Sequence, residues 1–396
     1  MLRDKIQKEA LAVWLDKGKV GTCEMITGLG KTFVGLHALH SMPKDDKIHL
    51  FLAETTSREK DLIENVEKYD KIFNTNTFKT YKVEFYCYQT VYKWKGKAFG
   101  LVIADEIHDG LSPEYSKFFF NNKYDALIGL TATVTRDTIY EDSLTGVKYT
   151  KGKLLDAIAP VVYQYNMDQG QKDGTARKLD INVIHHRLDE HNKTVKAGSK
   201  AKPFMQTEAS AYTYWDNQFK RSLYIDDEEV KSFKLRTTSH KRSRILYDAQ
   251  SKIPIVKKIL DTLNGKTIVF GNSVDSLLKV TPDVVSSRNT DKVNDDIRDR
   301  FDKGKINVIG SFKKLKQGAN LDGLQNCVIM SYYSTEKDII QRLGRLRKDG
   351  EKIGKVFIIL TTGTKEEDWF SKMFENMDSF NMKHYLSIDD YLKKVK

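Results

Sequence analysis

The stretch Gly28-Leu29-Gly30-Lys31-Thr32 decides the reading of this 396-residue chain. Before it, Gly21-Thr22-Cys23-Glu24-Met25-Ile26 has the composition of a short buried strand. After it, Phe33-Val34-Gly35-Leu36-His37-Ala38-Leu39 has the spacing of a helix that packs one face. A strand that turns through glycines into a helix aims backbone N–H groups, and the positive end of the helix dipole, at an anion. Lys31 then reaches the β- and γ-phosphates of a nucleotide as a point charge, and the Thr32 hydroxyl ligates Mg2+. The strict P-loop pattern asks for a glycine where this chain has Met25. The short pattern therefore needs support from the rest of the chain.

That support begins at Asp105-Glu106-Ile107-His108, directly after the apolar run Leu101-Val102-Ile103-Ala104. A strand end puts both carboxylates at the carboxyl edge of a sheet, where α/β folds bind their ligands. Asp105 is placed to hold Mg2+ through its water shell, and Glu106 to orient and deprotonate an attacking water. His108 can form a hydrogen bond to a neighbouring motif.

Further short apolar runs at 49–53, 83–88 and 126–130 read as strands separated by helical or loop segments. A second series follows at 181–184, 267–270, 306–309, 327–330 and 356–360. Runs this short suit strands buried on both faces, so the expected fold is α/β, with two tandem domains of mostly parallel sheet. Leu2, Ile6, Ala10 and Val13 fall on one side of an opening helix. The polar, glycine-containing residues 165–178 read as a linker, giving domains at 1–168 and 169–396. Residues 365–396 read as helix, with Trp369, Phe370, Phe374, Met377 and Phe380 in the core.

Residues 191–250 form an excursion with 12 Lys+Arg against 7 Asp+Glu, so five of the chain's twelve net positive charges lie there. Phe204, Tyr212, Tyr214, Trp215, Phe219 and Tyr224 are interleaved with them. Basic residues with aromatics suit single-stranded nucleic acid; a helical excursion whose aromatics pack back on the second sheet is the other reading. The whole-chain charge of +12, from 66 Lys+Arg against 54 Asp+Glu, favours a polyanionic partner. Cys23, Cys87 and Cys327 each stand in an apolar run without Cys-x-x-Cys spacing, so they read as small core hydrophobes in a reducing cytoplasm. No run approaches the roughly 18 to 20 apolar residues of a membrane span, and the start has no signal-peptide pattern. A soluble cytoplasmic protein without a membrane partner is expected.

The ordered motifs resemble those of superfamily 2 helicases and translocases over nearly the whole chain. Thr27 to Thr32 matches motif I in its Thr-Gly-x-Gly-Lys-Thr form, Asp105 to His108 matches motif II as Asp-Glu-x-His, and Thr131-Ala132-Thr133 matches motif III. Gln7 stands at the glutamine that reads adenine in the family's Q motif, with Lys5-Ile6 in place of the usual Pro-Tyr. Glu54-Thr55-Thr56 stands where motif Ia usually has Pro-Thr. Phe270-Gly271-Asn272-Ser273 resembles motif IV, Gln317-Gly318-Ala319-Asn320-Leu321 motif V, and Gln341-Arg342-Leu343-Gly344-Arg345-Leu346-Arg347 motif VI. The last position of the family's Gln-Arg-x-Gly-Arg-x-x-Arg is Lys348 here.

The resemblance implies two RecA-like domains with ATP and Mg2+ in the cleft between them. It implies nucleotide contacts from Gln7, Thr27, Gly28, Gly30, Lys31, Thr32, Gly318, Asn320, Arg345 and Arg347, and metal contacts from Thr32 and Asp105. Lys31, Asp105, Glu106, Gln341 and Arg345 are the implied catalytic set, with Arg345 as arginine finger and either Arg347 or Lys348 supplying the second charge. Gly-Leu-Thr-Ala-Thr around motif III and Ala159-Pro160-Val161-Val162-Tyr163-Gln164-Tyr165 resemble DNA helicases of the restriction-subunit and phage UvsW type more than Asp-Glu-Ala-Asp RNA helicases. The expectation is a motor that moves along and remodels DNA, single-stranded or branched, in a bacterial or phage-infected cell. Two alternatives stay open: an RNA helicase, and a non-motor, either a nucleotide-gated binding module or the motor subunit of a restriction system that waits for a protein partner. Substrate choice is expected to rest on residues 191–250 or on that partner.

Overall fold

The computed structural model describes residues 2–26, 28–54, 58–132, 134, 136–141, 148–175, 179–199, 201–312, 323–332, 354–374 and 382–395. They form two compact units, each built on its own parallel sheet. The sheet of the first unit has six strands: β1 Val20–Met25, β2 Ile48–Ala53, β3 Lys82–Cys87, β4 Ala98–Asp105, β5 Lys123–Thr131 and, after the hairpin of β6 Ile139–Glu141 with β7 Lys148–Thr150, β8 Val161–Tyr165. Their order is β3-β2-β4-β5-β1-β8, and every pairing is parallel. β4 is buried from Phe99 through Asp105. That continuous burial is why the strand reads as an unbroken apolar run.

Two helices position the edge of this sheet. α1 (Leu2–Asp16) buries Ile6, Gln7, Ala10 and Trp14, while Leu2 is exposed and Val13 half-buried. The buried stripe is thus turned from the expected one, because the large Trp14 ring sets it. Trp14 Nε1 donates to the Leu127 carbonyl oxygen of β5 at 3.0 Å, which fixes the helix that carries Gln7. α2 (Lys31–His40) follows β1 and lies close on the sheet at Gly35, where a Cβ would come within 2.8 Å of Ile103.

The second unit's sheet contains β9 Leu179–His186, β12 Lys266–Phe270, β13 Val284–Val285, β14 Val308–Ser311, β15 Leu324–Ile329, β16 Gly354–Thr361 and β17 Met382–Tyr385; between the first two of these, β10 Val195–Gly198 and β11 Pro203–Gln206 form a hairpin. The order is β13-β14-β12-β15-β16-β9-β17, again wholly parallel. The expected α/β fold with two parallel sheets is borne out.

Within 165–178, Met167–Lys172 is helical: Asn166 Oδ1 caps it by accepting from the Gln169 N–H at 2.8 Å, and Gly174 follows at φ 69°. Two local readings are corrected. The tail is not all helix, since β17 stands between the helices Lys365–Phe374 and Ile388–Val395. Cross-strand contacts hold β17 on β9: Lys383 Nζ lies 2.9 Å from Asp180 Oδ1, and the Tyr385 hydroxyl donates to Asn182 Oδ1 at 3.2 Å. Ile306 and Asn307 precede their strand, which starts at Val308. Met377 and Phe380 lie outside the described residues.

The excursion is a β-hairpin followed by an antiparallel pair of helices, Glu208–Ser222 and Glu228–Asp248. Thr207 and Asp227 cap them, their side chains accepting from the Ser210 and Val230 N–H groups. The two readings of its aromatics divide by residue. Tyr212 is buried against Leu188 and Leu246, and its hydroxyl accepts from the Lys365 N–H at 2.7 Å, whereas Phe204, Tyr214 and Tyr224 are exposed.

Candidate nucleotide site

Register places the first unit's polar groups at one sheet edge. β5 lies between β4 and β1; Leu130 pairs with Asp105, and Thr131 with Glu24. The chain therefore delivers the P-loop after β1, the acidic pair at the end of β4 and the Thr131 segment at the end of β5 to adjacent points on the carboxyl edge.

In the loop, Gly28 and Gly30 have φ of 89° and 77°, the left-handed region open to glycine at no steric cost. Gly30 is the N-cap of α2 and offers no side-chain cap; its carbonyl oxygen accepts from the Phe33 N–H at 2.8 Å, and the Lys31 and Thr32 N–H groups before it have no intrahelical partner. A Cβ on Gly28 would meet nothing within 4 Å, whereas one on Gly30 would lie 2.6 Å from Gln7 Nε2. Gln7 is buried, and its Nε2 donates to the Leu29 carbonyl oxygen at 2.7 Å. Lys31 Nζ donates to the Met25 carbonyl oxygen at 3.3 Å across the loop. The open, uncapped helix start and the glycine backbone fit a phosphate group.

At the end of β4, Asp105 is 3% exposed, and its carbonyl oxygen accepts from the Tyr88 hydroxyl at 2.9 Å. Burial pushes the Tyr88 phenol well above its ordinary value, and the Asp105 carboxylate adds to the shift, so Tyr88 stays a donor. Glu106 has φ 47°, an uncommon conformation for a residue with a Cβ, and such strain clusters at functional sites. Its Oε2 is 3.3 Å from His108 Nδ1 and 3.5 Å from Thr131 Oγ1, and these last two atoms are 2.7 Å apart. His108 is buried, with Nε2 3.2 Å from Asp109 Oδ2. The hydrogen bond expected of His108 thus runs to Thr131, joining the acidic motif to the segment after β5.

One carboxylate at this edge escapes sequence reading. Glu24 Oε1 accepts from the Val134 N–H at 3.1 Å and Oε2 from Gln164 Nε2 at 2.9 Å, tying the loop after β5 to β8. A lone acid in an otherwise apolar strand was its only signal. Thr27, Thr133, Gly318, Asn320, Gln341, Arg345, Arg347 and Lys348 lie outside the described residues. Among the described residues there is no cluster of three or more His, Cys, Asp or Glu side chains able to hold a metal ion, and no helix long and apolar enough to cross a membrane.

Known proteins resemble the chain in sequence and in fold. Residues 2–136 match the family described as "Type III restriction enzyme, res subunit", and residues 251–350 match "Helicase conserved C-terminal domain". A relative, the "DNA 3'-5' translocase XPB2" of Sulfurisphaera tokodaii, is 25% identical over 384 residues, covering 92% of this chain and 84% of that protein. Among solved structures, the ATP-dependent Type ISP restriction-modification enzyme LlaBIII bound to DNA aligns with a TM-score of 0.61 at 13% identity. It covers 96% of this chain, which spans 31% of the LlaBIII chain. S. cerevisiae Dbp5 bound to RNA and ADP BeF3 aligns with a TM-score of 0.60 at 12% identity, covering 98% of this chain and 91% of that one. Both likenesses are of fold, two RecA-like domains. The two helicase family models, matched in order along the chain, and the translocase relative over 92% of it support a superfamily 2 helicase, a nucleic-acid-binding enzyme that hydrolyses ATP.

Proposed function

We propose that the chain hydrolyses ATP at the carboxyl edge of its first sheet and uses the cycle to move along DNA and remodel branched DNA. The observation that carries the chemistry is Glu106, an intact carboxylate turned by a left-handed backbone into contact with His108 and Thr131. A protein that only bound nucleotide would have no need of a water-activating base. DNA as the track rests on the 25% identical relative, whose name is that of a DNA translocase.

The N–H groups of Gly28, Gly30 and the first turn of α2 cradle the phosphates, with Lys31 as counter-charge. Thr32 and Asp105 would hold Mg2+, which needs few protein ligands and would supply positive charge against the phosphates. Glu106 takes a proton from the attacking water, and Thr131 and His108 hold its carboxylate in place and pass its state to the segment after β5. Gln7 recognises adenine and steadies the loop through Leu29. Gln341 and Arg345, with Arg347 or Lys348, complete the charge on the γ-phosphate, and Thr27, Gly318 and Asn320 add nucleotide contacts.

The test is steady-state ATPase at one low salt concentration without nucleic acid, with single-stranded DNA, with forked DNA and with RNA. Stimulation strongest with forked DNA supports the proposal. Stimulation by RNA with indifference to DNA replaces it with an RNA helicase, and no stimulation by any of them replaces it with a motor subunit that requires a protein partner.

A further inference from the structure

The hairpin β10–β11 and the two helices that follow it enclose a cavity of about 860 Å³, within the roughly 300–1,000 Å³ of pockets that take small molecules. Phe204, Tyr214 and Trp215 supply its aromatic wall, and Lys196, Lys241 and Arg244 its cations. Tyr214 and Trp215 meet edge to face at 4.9 Å, while Phe204 and Tyr214 are each more than half exposed. The acids here are already engaged: Glu208 accepts from the N–H groups of Asp189, Gln250 and Ser251, and Asp248 pairs with Arg244 at 3.1 Å. Lys196 and Lys241 have no carboxylate within ion-pairing distance among the described residues. Lys241 Nζ instead stands over the Trp215 ring, 4.2 Å from its centre.

We infer that this cavity is a strand-binding site that takes an unpaired nucleobase on Trp215, with the adjoining phosphates on Lys196 and Lys241. Magnitudes favour the exchange that this requires. An exposed cation–π contact is worth about two- to fivefold in affinity, against roughly 5- to 150-fold for a base stacked on an aromatic ring. The base therefore displaces the ammonium from the ring, and the ammonium moves to the backbone phosphate. The net charge of residues 191–250, 12 Lys+Arg against 7 Asp+Glu, suits a polyanion over a cationic or neutral ligand. This inference rests on the nucleic-acid motor proposed above and names where that motor reads a single strand.

The experiment measures binding of oligo-dT, oligo-rU and an abasic oligonucleotide of equal length by fluorescence anisotropy, for the wild type, Trp215→Ala, Trp215→Phe and Lys241→Met, with ATPase lacking nucleic acid as the folding control. The expected result is a preference for oligo-dT over the abasic strand that falls about tenfold in Trp215→Ala and is kept in Trp215→Phe. Lys241→Met is expected to weaken both strands alike and to flatten the salt dependence by one charge. An unchanged base preference in Trp215→Ala overturns the site while leaving the motor standing. A wild type that binds none of the strands overturns both. Equal results with oligo-rU and oligo-dT leave the site intact and assign it to unpaired strands of either sugar.

Discussion

Replacing Gly30 by alanine perturbs two things at the proposed nucleotide site, and their sizes can be worked out separately. At φ 77° an L-residue pays the left-handed penalty of about 1–2 kcal/mol. The new Cβ would also lie 2.6 Å from Gln7 Nε2, so the amide must leave Leu29, and a buried polar pair separated in this way costs about 1–3 kcal/mol more. Gly28→Ala is the control: its φ of 89° carries the same strain, but nothing lies within 4 Å of its Cβ. Gly30→Ala is therefore expected to cost about 1–3 kcal/mol more than Gly28→Ala. In Gln7→Ala/Gly30→Ala the cost is expected to fall short of the sum of the single variants, because the second change removes a contact already lost. The assay is urea unfolding followed by tryptophan emission in a background with Trp215 and Trp369 replaced by phenylalanine, which leaves Trp14 and Trp94 as reporters of the first unit. Equal costs for the two glycines, or strict additivity in the double variant, would refute the reasoning.

Three other perturbations have expected outcomes. Glu106→Gly relieves the left-handed strain that Glu106→Ala keeps, so the glycine variant should be about 1 kcal/mol the more stable in urea unfolding, while ATP turnover is lost in both. Lys252 and Glu366 form a fully buried pair at 2.7 Å; Lys252→Ala strands the Glu366 carboxylate and should cost roughly 3–5 kcal/mol, and Lys252→Met with Glu366→Gln much less. Burial, with Lys252 adding to it, lowers the His186 pKa from 6.5 to about 3, so the unfolded chain binds a proton that the folded one refuses between those values. That contribution is complete above pH 6.5 and shrinks as pH falls toward 3; about 2 kcal/mol should be gone at pH 5, and His186→Gln should flatten this slope in denaturation at pH 5 and 7.5.

Sequence reading reached furthest where one physical cause acts alone. Central strands such as β4 are buried on both faces, and that burial writes itself as an apolar run; the loop glycines 28 and 30 are needed for their backbone angles, whatever else surrounds them. It reached least where pairing or packing decides. Met382-Lys383-His384-Tyr385 has no apolar run, because an edge strand is held by its backbone and by contacts with Asp180 and Asn182 on β9. The short helix Met167–Lys172 depends on one capping asparagine, too local a signal to stand out in a polar stretch. Trp14 and Glu24 act through partners more than a hundred residues away, Leu127, Val134 and Gln164, which no local pattern reveals. Within the excursion, spacing could not tell the buried Tyr212 from the exposed Tyr214 two residues later.

The proposed motor requires ATP hydrolysis at Lys31 and Glu106 that nucleic acid stimulates. Its most direct test is steady-state ATPase of the wild type, Lys31→Ala and Glu106→Gln, each with and without forked DNA, beside binding of a fluorescent ATP analogue. DNA-stimulated turnover is expected in the wild type alone, with nucleotide binding kept in Glu106→Gln and weakened in Lys31→Ala. Full turnover in either variant would contradict it.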